Sequence, residues 1–192
     1  MSIMITTMLY PESQQKDEWK LLLWHNRDTF CRLTDGFVIQ SIVKSNGDPF
    51  LERIELIISC LKAYDRVLWL GADCVCLHEI HEEDLPNELA MAHDIGGLND
   101  DVLITVKDDL PMWEIMKFCY PLYKDNKMRG QALMNDMKTM HKILPLDQWN
   151  ARWTKEYTKV IHYPGLPLDV QFENVKRACI GAQERLLDGV KL

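Results

Sequence analysis

The chain has 192 residues, 47% of them hydrophobic and 27% charged, and a formal net charge of −7. These proportions fit one globular domain over residues 1–192 and exclude a disordered or fibrous chain. The acidic balance disfavours sequence-independent binding to nucleic acid, and no segment is long and apolar enough to span a bilayer.

Met1 to Leu9 has no basic flank and no long apolar core, so it does not read as a secretory leader, and a cytoplasmic protein is expected. Cys31, Cys60, Cys74, Cys76, Cys119 and Cys179 are scattered through apolar patterns and read as free thiols.

Ser2 to Leu9, rich in Ile, Thr and Met, predicts the first strand. Trp19, Leu22, Leu23, Asn26, Phe30 and Leu33 recur at helical spacing, which predicts a helix from Gln14 to Leu33, ended by Asp35-Gly36. Phe37 to Val43 reads as a second strand. Asp48-Pro49 is a cap followed by proline in the first turn, and Phe50, Leu51, Ile54, Ile57, Ile58 and Leu61 continue as an apolar stripe. Arg66-Val67-Leu68-Trp69-Leu70 is then an apolar run of the kind that forms a buried parallel strand, and it stops at Gly71-Ala72-Asp73.

Cys74 to Leu77 reads as a short strand and His78 to Glu88 as an acidic, solvated loop. Leu89 to His93 and Val102 to Val106 are two further strands, joined by Asp94 to Asp101. Asp109-Leu110-Pro111 opens a helix to Tyr120, Lys124 to Arg129 is a polar basic loop suited to a lid, and Gln131 to Ile143 is a helix. Lys159 to Tyr163 is the last strand, before a helix from Val170 to Leu187 with Val175, Ala178, Cys179, Ala182 and Leu186 inward. The alternation of strands and helices predicts an α/β fold: a mostly parallel central sheet with helices on both faces.

In such sheets ligands bind beyond the carboxyl ends of the strands. Asp73 stands there, and a carboxylate in that position must be paired, solvated or bound to a cation. Its plain alternative is a turn cap. Asp100 and Asp101 precede a strand, where either could orient or deprotonate a ligand hydroxyl, or simply form a turn. His162 reads equally as a strand-end core histidine or as a metal or phosphate contact. Cys74, Cys76, His78 and His81 have poor spacing for zinc. Trp113, Trp149 and Trp153 could line a sugar or base platform, with core packing as the default.

Taken in order, four elements resemble the nucleotide-sugar-dependent glycosyltransferases of the GT-A fold, especially the glycogenin-like and galactosyl/mannosyl-transferase-like branches. They are the strand with Thr6 and Thr7, the Arg53 helix leading to Leu68-Trp69-Leu70-Gly71-Ala72-Asp73, the stretch Leu98 to Ile104, and Val160 to Gly165. Gln131 to Asn135 and Leu144 to Asn150 resemble the later pieces of the same families.

The resemblance implies a metal-assisted hexosyltransferase that takes a nucleotide-diphosphate sugar as donor. It implies Mn²⁺ or Mg²⁺ on Asp73 and His162. It places the nucleotide at Thr6, Thr7 and Arg53 and the diphosphate with the cation at Asp73 and His162, counts Gly71, Asn99 and Gly165 among the donor-binding residues, and turns Asn99, Asp100, Asp101 and Gln131 toward donor sugar and acceptor. It leans to retention of anomeric configuration.

The chain departs from the family pattern at several points. Gly71 replaces the first acid of Asp-x-Asp, Gly130 replaces an acid before Gln131, Asp101 stands where a glycine is expected, and no lysine follows Gly165. A saccharide, a protein or a hydroxylated DNA base would each serve as acceptor. The rival readings are a degenerate, non-catalytic nucleotide-sugar-binding protein and a nucleotidyltransferase. The second of these is disfavoured by Tyr10-Pro11-Glu12-Ser13, where a glycine-rich basic loop would be needed.

Overall fold

Strand period two sorts the apolar residues of the first strand into two cores. Ile3, Ile5 and Leu9 join one core and Met4 and Met8 the other. A computed structural model describes residues 2–9, 17–32, 39–45, 47–94, 97–125, 132–133, 136, 142–144, 146–151 and 158–187. The strands are β1 (Ile3–Leu9), β2 (Cys31–Arg32), β3 (Ile39–Lys44), β4 (Arg66–Leu70), β5 (Cys74–Cys76), β6 (Ile80–His81), β7 (Ala90–Asp94), β8 (Gly97–Val106), β9 (Lys142–Leu144) and β10 (Val160–His162). The helices are α1 (Asp17–Phe30), α2 (Pro49–Ala63), α3 (Leu110–Cys119), the single turn α4 (Leu146–Trp149) and α5 (Leu168–Leu187).

The central sheet has six strands in the order β3-β1-β4-β8-β7-β9. β1 pairs parallel with β3 and β4, and β7 pairs parallel with β9. β8 is antiparallel to both β4 and β7, so among these strands it alone runs against the others. The mostly parallel sheet expected from the strand–helix alternation forms, with β8 as the exception. β7 and β8 are close in sequence, and a short connection allows only antiparallel pairing.

Helices cover both faces. α1 and α5 pack over the core that holds Ile5, Leu68, Leu70 and Val102, through Trp19, Leu23, Phe172, Val175 and Cys179. α2 and α3 cover the opposite core, where Ile57, Leu61, Trp113 and Met116 meet Val67, Trp69 and Leu103. α2 starts as its sequence implies: Asp48 caps it by accepting from the Phe50 N–H at 3.1 Å, with Pro49 in the first turn. Asp48 also accepts from the Tyr120 hydroxyl at 2.9 Å, which ties the end of α3 to the start of α2.

Several sequence expectations are corrected. α1 ends at Phe30, because Cys31 and Arg32 pair in parallel with Ile80 and His81. Lys142–Leu144 is a strand on the edge of β7 and not the end of a helix. β8 begins at Gly97, so Asn99 and Asp101 belong to a strand and not to a connecting loop. Leu186 is exposed, and Phe172 takes the inward place.

The acidic stretch is more than a solvated loop. Glu82 pairs with buried Arg66, and Asp84 accepts from Lys159 at 2.7 Å and from the His81 N–H at 2.8 Å. The last strand, β10, lies outside the central sheet. It pairs antiparallel with β5 in a separate two-stranded ribbon. No helix of the described residues is long and apolar enough to cross a membrane.

Candidate active site

The loop Gly71-Ala72-Asp73 joins β4 to β5, and its backbone carbonyls are held from beneath. The Leu70 carbonyl accepts from the Thr7 hydroxyl at 2.9 Å, and Arg27 donates to the carbonyls of Leu70 and Gly71 at 3.4 and 3.1 Å. Trp19 Nε1 donates to the Ala72 carbonyl at 2.9 Å, and the Tyr163 N–H donates to the Asp73 carbonyl at 3.1 Å. Trp19 and Arg27 both come from α1 and are fully buried. Buried carbonyls need such partners, and satisfying four in a row fixes where the Asp73 side chain starts.

His162 reaches the same place from the ribbon. β10 pairs His162 with Cys74, one residue past Asp73. The ribbon is itself anchored on α1, since Asn26 Nδ2 donates to the Cys76 carbonyl and Asn26 Oδ1 accepts from the Cys76 N–H, each at 2.8 Å. His162 Nε2 lies 3.2 Å from Asp73 Oδ2 and 3.5 Å from Asp101 Oδ2. On its other side Nδ1 lies 2.6 Å from Asn150 Oδ1. An amide oxygen offers only lone pairs, so the hydrogen between them sits on Nδ1. In the neutral ring, Nε2 then presents a lone pair toward the two carboxylates. Gln171 Nε2 donates to Asp73 Oδ2 and to the Tyr163 carbonyl, each at 2.8 Å, which orients the carboxylate from α5.

Arg53 approaches from α2. Its guanidinium lies over the rings of Phe50 and Trp69, 5.4 and 5.5 Å from their centroids, and Nη1 is 3.9 Å from Asp101 Oδ1. Stacking of this kind holds a buried cation in one orientation. Asp101 is itself placed by β8: its N–H donates to Asn99 Oδ1, and its carbonyl accepts from the Gly71 N–H, both at 2.7 Å.

Cys74 lies underneath, with its thiol 3.8 Å from the Asp101 carbonyl oxygen. Burial first, then the neighbouring Asp73 and Asp101 carboxylates, push that thiol well above its usual range. Asp73, Cys74 and His162 each present a ligand atom within 4.8 Å of the others.

Gly71, Asp73, Asn99, Asp101, His162 and Arg53 therefore meet in one place. Asp73 and His162 do so through the loop and the ribbon, and not from two neighbouring strand ends of the main sheet. Thr6 and Thr7 are fully buried inside β1, where the Thr7 hydroxyl is engaged by the Leu70 carbonyl. Gly165 follows the ribbon at φ 68°, a left-handed conformation that suits glycine, with open space where a side chain would project. Asp100 lies in β8. Gln131 falls outside the described residues, as do Trp153 and most of the Lys124–Arg129 loop. Trp113 and Trp149 are core residues.

Sequence reasoning missed Trp19, Arg27 and Gln171. The signal available for Arg27 was a cation on the apolar stripe of a helix, at a position one turn after Leu23.

No family model matches this chain, and no curated protein matches it. A solved structure described as a glycosyltransferase involved in the glycosylation of the major capsid of PBCV-1 shares its fold. The TM-score is 0.65 at 13% identity, over 92% of this chain and 100% of that one.

Proposed function

We propose that this protein is a glycosyltransferase that moves a sugar from a nucleotide-diphosphate donor to a hydroxyl acceptor with the help of Mn²⁺ or Mg²⁺. The observation that carries the reading is the meeting of Asp73 with the Nε2 edge of buried His162, whose Nδ1–H donates to Asn150 Oδ1. A histidine that donates one ring N–H to an oxygen and turns the other nitrogen to a carboxylate has the outer-shell arrangement of metal-binding imidazoles. The donor set of carboxylate oxygen and imidazole nitrogen suits Mn²⁺, and with added waters Mg²⁺. The shared fold of a glycosyltransferase supports the reaction class.

In the proposed reaction the bond between the anomeric carbon and the diphosphate oxygen breaks. The acceptor hydroxyl oxygen bonds to that carbon, and its proton passes to the departing diphosphate, so the products are the glycoside and the nucleoside diphosphate. A divalent cation would supply the positive charge that makes the diphosphate an acceptable leaving group. The chain's own residues do the rest. Gln171 and the tethered 71–73 loop orient the Asp73 carboxylate, Asn150 fixes the His162 ring, and Arg53 adds a fixed positive charge beside the site. The glycogenin-like resemblance favours retention, and the acceptor is a saccharide, a protein or a hydroxylated DNA base.

Thermal stability measured with a panel of nucleotide sugars, with and without Mn²⁺, tests this. A donor at one hundred times its dissociation constant adds about 2.7 kcal/mol. At a few degrees per kcal/mol for a chain of this size, that is a rise of roughly 5–11 °C. The rise requires Mn²⁺ and is lost in Asp73→Asn. No metal-dependent rise with any donor would refute the reading.

A further inference from the structure

We infer that Cys74 is a third protein ligand at this site for a thiol-seeking cation: with Asp73 and His162 it makes a Zn²⁺ site, where Zn²⁺ competes with Mn²⁺. The inference rests on the reading above for the place of a divalent cation at Asp73 and His162. It goes further by naming a second ion and a ligand that Mn²⁺ does not need.

Strand pairing brings the three side chains together. In the antiparallel ribbon of β5 and β10, Cys74 lies directly opposite His162, and opposed residues project from the same face. Asp73 precedes Cys74, and its carbonyl accepts from the Tyr163 N–H at 3.1 Å, which carries the pairing one step further. One carboxylate oxygen, one thiol sulfur and one ring nitrogen therefore all lie within 4.8 Å of one another. Asp73 Oδ2 and His162 Nε2 are 3.2 Å apart. The edge of a zinc tetrahedron is close to this, about 3.3 Å for bonds of about 2.0 Å. Among the described residues, Asp101 and Cys76 stand outside this group.

The donor set differs from the one Mn²⁺ selects. Mn²⁺ and Mg²⁺ favour oxygen, whereas a thiolate selects softer ions, Zn²⁺ among them. A carboxylate, a thiolate and a neutral imidazole carry two negative charges, which balance Zn²⁺ where a net charge is costly to bury. Cys74 and the His162 ring are fully buried, while Asp73 keeps 16% of its side chain open, so an ion enters past Asp73. The outer partners of such a site are in place. Asn150 holds Nδ1 at 2.6 Å and Gln171 holds Asp73 Oδ2 at 2.8 Å.

On binding, the Cys74 S–H bond breaks and a Zn–S bond forms. The thiol proton, with any proton held on His162 Nε2, passes to solvent. An imidazolium paired with Asp73 in the metal-free chain thus yields its place to the ion. Mn²⁺ is held by Asp73 and His162 and leaves the thiol protonated. Zn²⁺ outcompetes Mn²⁺ at most sites, so the quantity that decides is the dependence of that competition on Cys74.

The test uses the full chain loaded with Mn²⁺ and titrated with Zn²⁺, with released Mn²⁺ read by electron paramagnetic resonance, for wild type, Cys74→Ala and Cys74→Ser. Near-ultraviolet circular dichroism checks the fold of each. Cys74→Ala is expected to need about a hundred times as much Zn²⁺ for the same release, roughly one ligand's share of a structural zinc site. Its Mn²⁺ affinity stays within about three-fold of wild type, because Mn²⁺ makes no use of the thiol. Co²⁺ in place of Zn²⁺ should give wild type a sulfur-to-metal charge-transfer absorption in the near ultraviolet that Cys74→Ala lacks.

Equal Zn²⁺ competition in wild type and Cys74→Ala, with no such absorption in wild type, would make Cys74 a core residue only, and the transferase reading would survive without it. If Cys74→Ala loses its fold, Cys74→Ser and the wild-type Co²⁺ spectrum decide, and absence of the band overturns the inference. Zn²⁺ held through Cys74 by a chain that binds no Mn²⁺ would uphold the inference and refute the Mn²⁺ reading. If neither ion binds, Asp73 and His162 are an ion pair alone and both fail.

Discussion

Asn26→Leu probes the anchoring of the ribbon that carries His162. The Asn26 amide is fully buried and takes both the carbonyl and the N–H of Cys76 at 2.8 Å each. Leucine has a similar volume but neither donor nor acceptor. The substitution leaves two buried backbone groups without these partners, at about 1–3 kcal/mol apiece. The expected loss is therefore about 4 kcal/mol, a large share of a typical domain's stability. It corresponds to a melting point lower by roughly 8–16 °C. Urea unfolding followed by tryptophan fluorescence measures it, with the slope checked for two-state behaviour.

Asn26→Asp adds a signature that packing loss cannot mimic. Its carboxylate would face the Cys76 carbonyl, so folding favours the protonated acid and raises its pKa. The stabilising contribution is then present at low pH and lost as pH rises through the folded-state value. A loss under about 1 kcal/mol for Asn26→Leu, with cooperative unfolding intact, would show that α1 does not hold β5 through this amide.

Three further outcomes are expected. Trp19→Phe removes the bond to the Ala72 carbonyl while keeping a ring against Phe172, 5.3 Å away, so unfolding should show a loss of about 1–2 kcal/mol and the Mn²⁺-induced rise in melting temperature should shrink. Asp48→Ala deletes the cap of α2 and the acceptor for Tyr120, and should cost about 1–3 kcal/mol, with Tyr120→Phe accounting for only part of it. The backbone N–H and then the hydroxyl of Ser2 hold the Asp65 carboxyl below its ordinary value of 3.8, so its contribution is present above that pH and is lost as pH falls through and below it. Asp65→Asn should flatten the acid limb of a melting-temperature profile.

Much of the scaffold was legible because its elements are locally consistent. Asp48-Pro49 marks the start of α2, and the run from Arg66 to Leu70 has no polar residue after its first, as suits a strand covered on both faces. Asp73 and His162 were legible as candidates, one from the end of that run and the other from the ordered resemblance. What sequence could not carry were tertiary pairings. Lys142–Leu144 is compatible with a helix until the edge of β7 offers it a ladder, and the end of α1 is set by the pairing of Cys31 with Ile80. The same holds for Arg27, whose three carbonyl partners come from its own helix and from residues 70 and 71. Glycine at position 71 looked in sequence like a lost acid. In the structure it is where Asp73 and Asp101 crowd one space.

The most direct test of the central claim is release of nucleoside diphosphate from a panel of nucleotide sugars, with water as the acceptor so that the natural one need not be known. The account predicts slow release from at least one donor, dependent on Mn²⁺ and absent in Asp73→Asn. Release that is indifferent to Mn²⁺ and to Asp73→Asn, or no release from any donor, would contradict it.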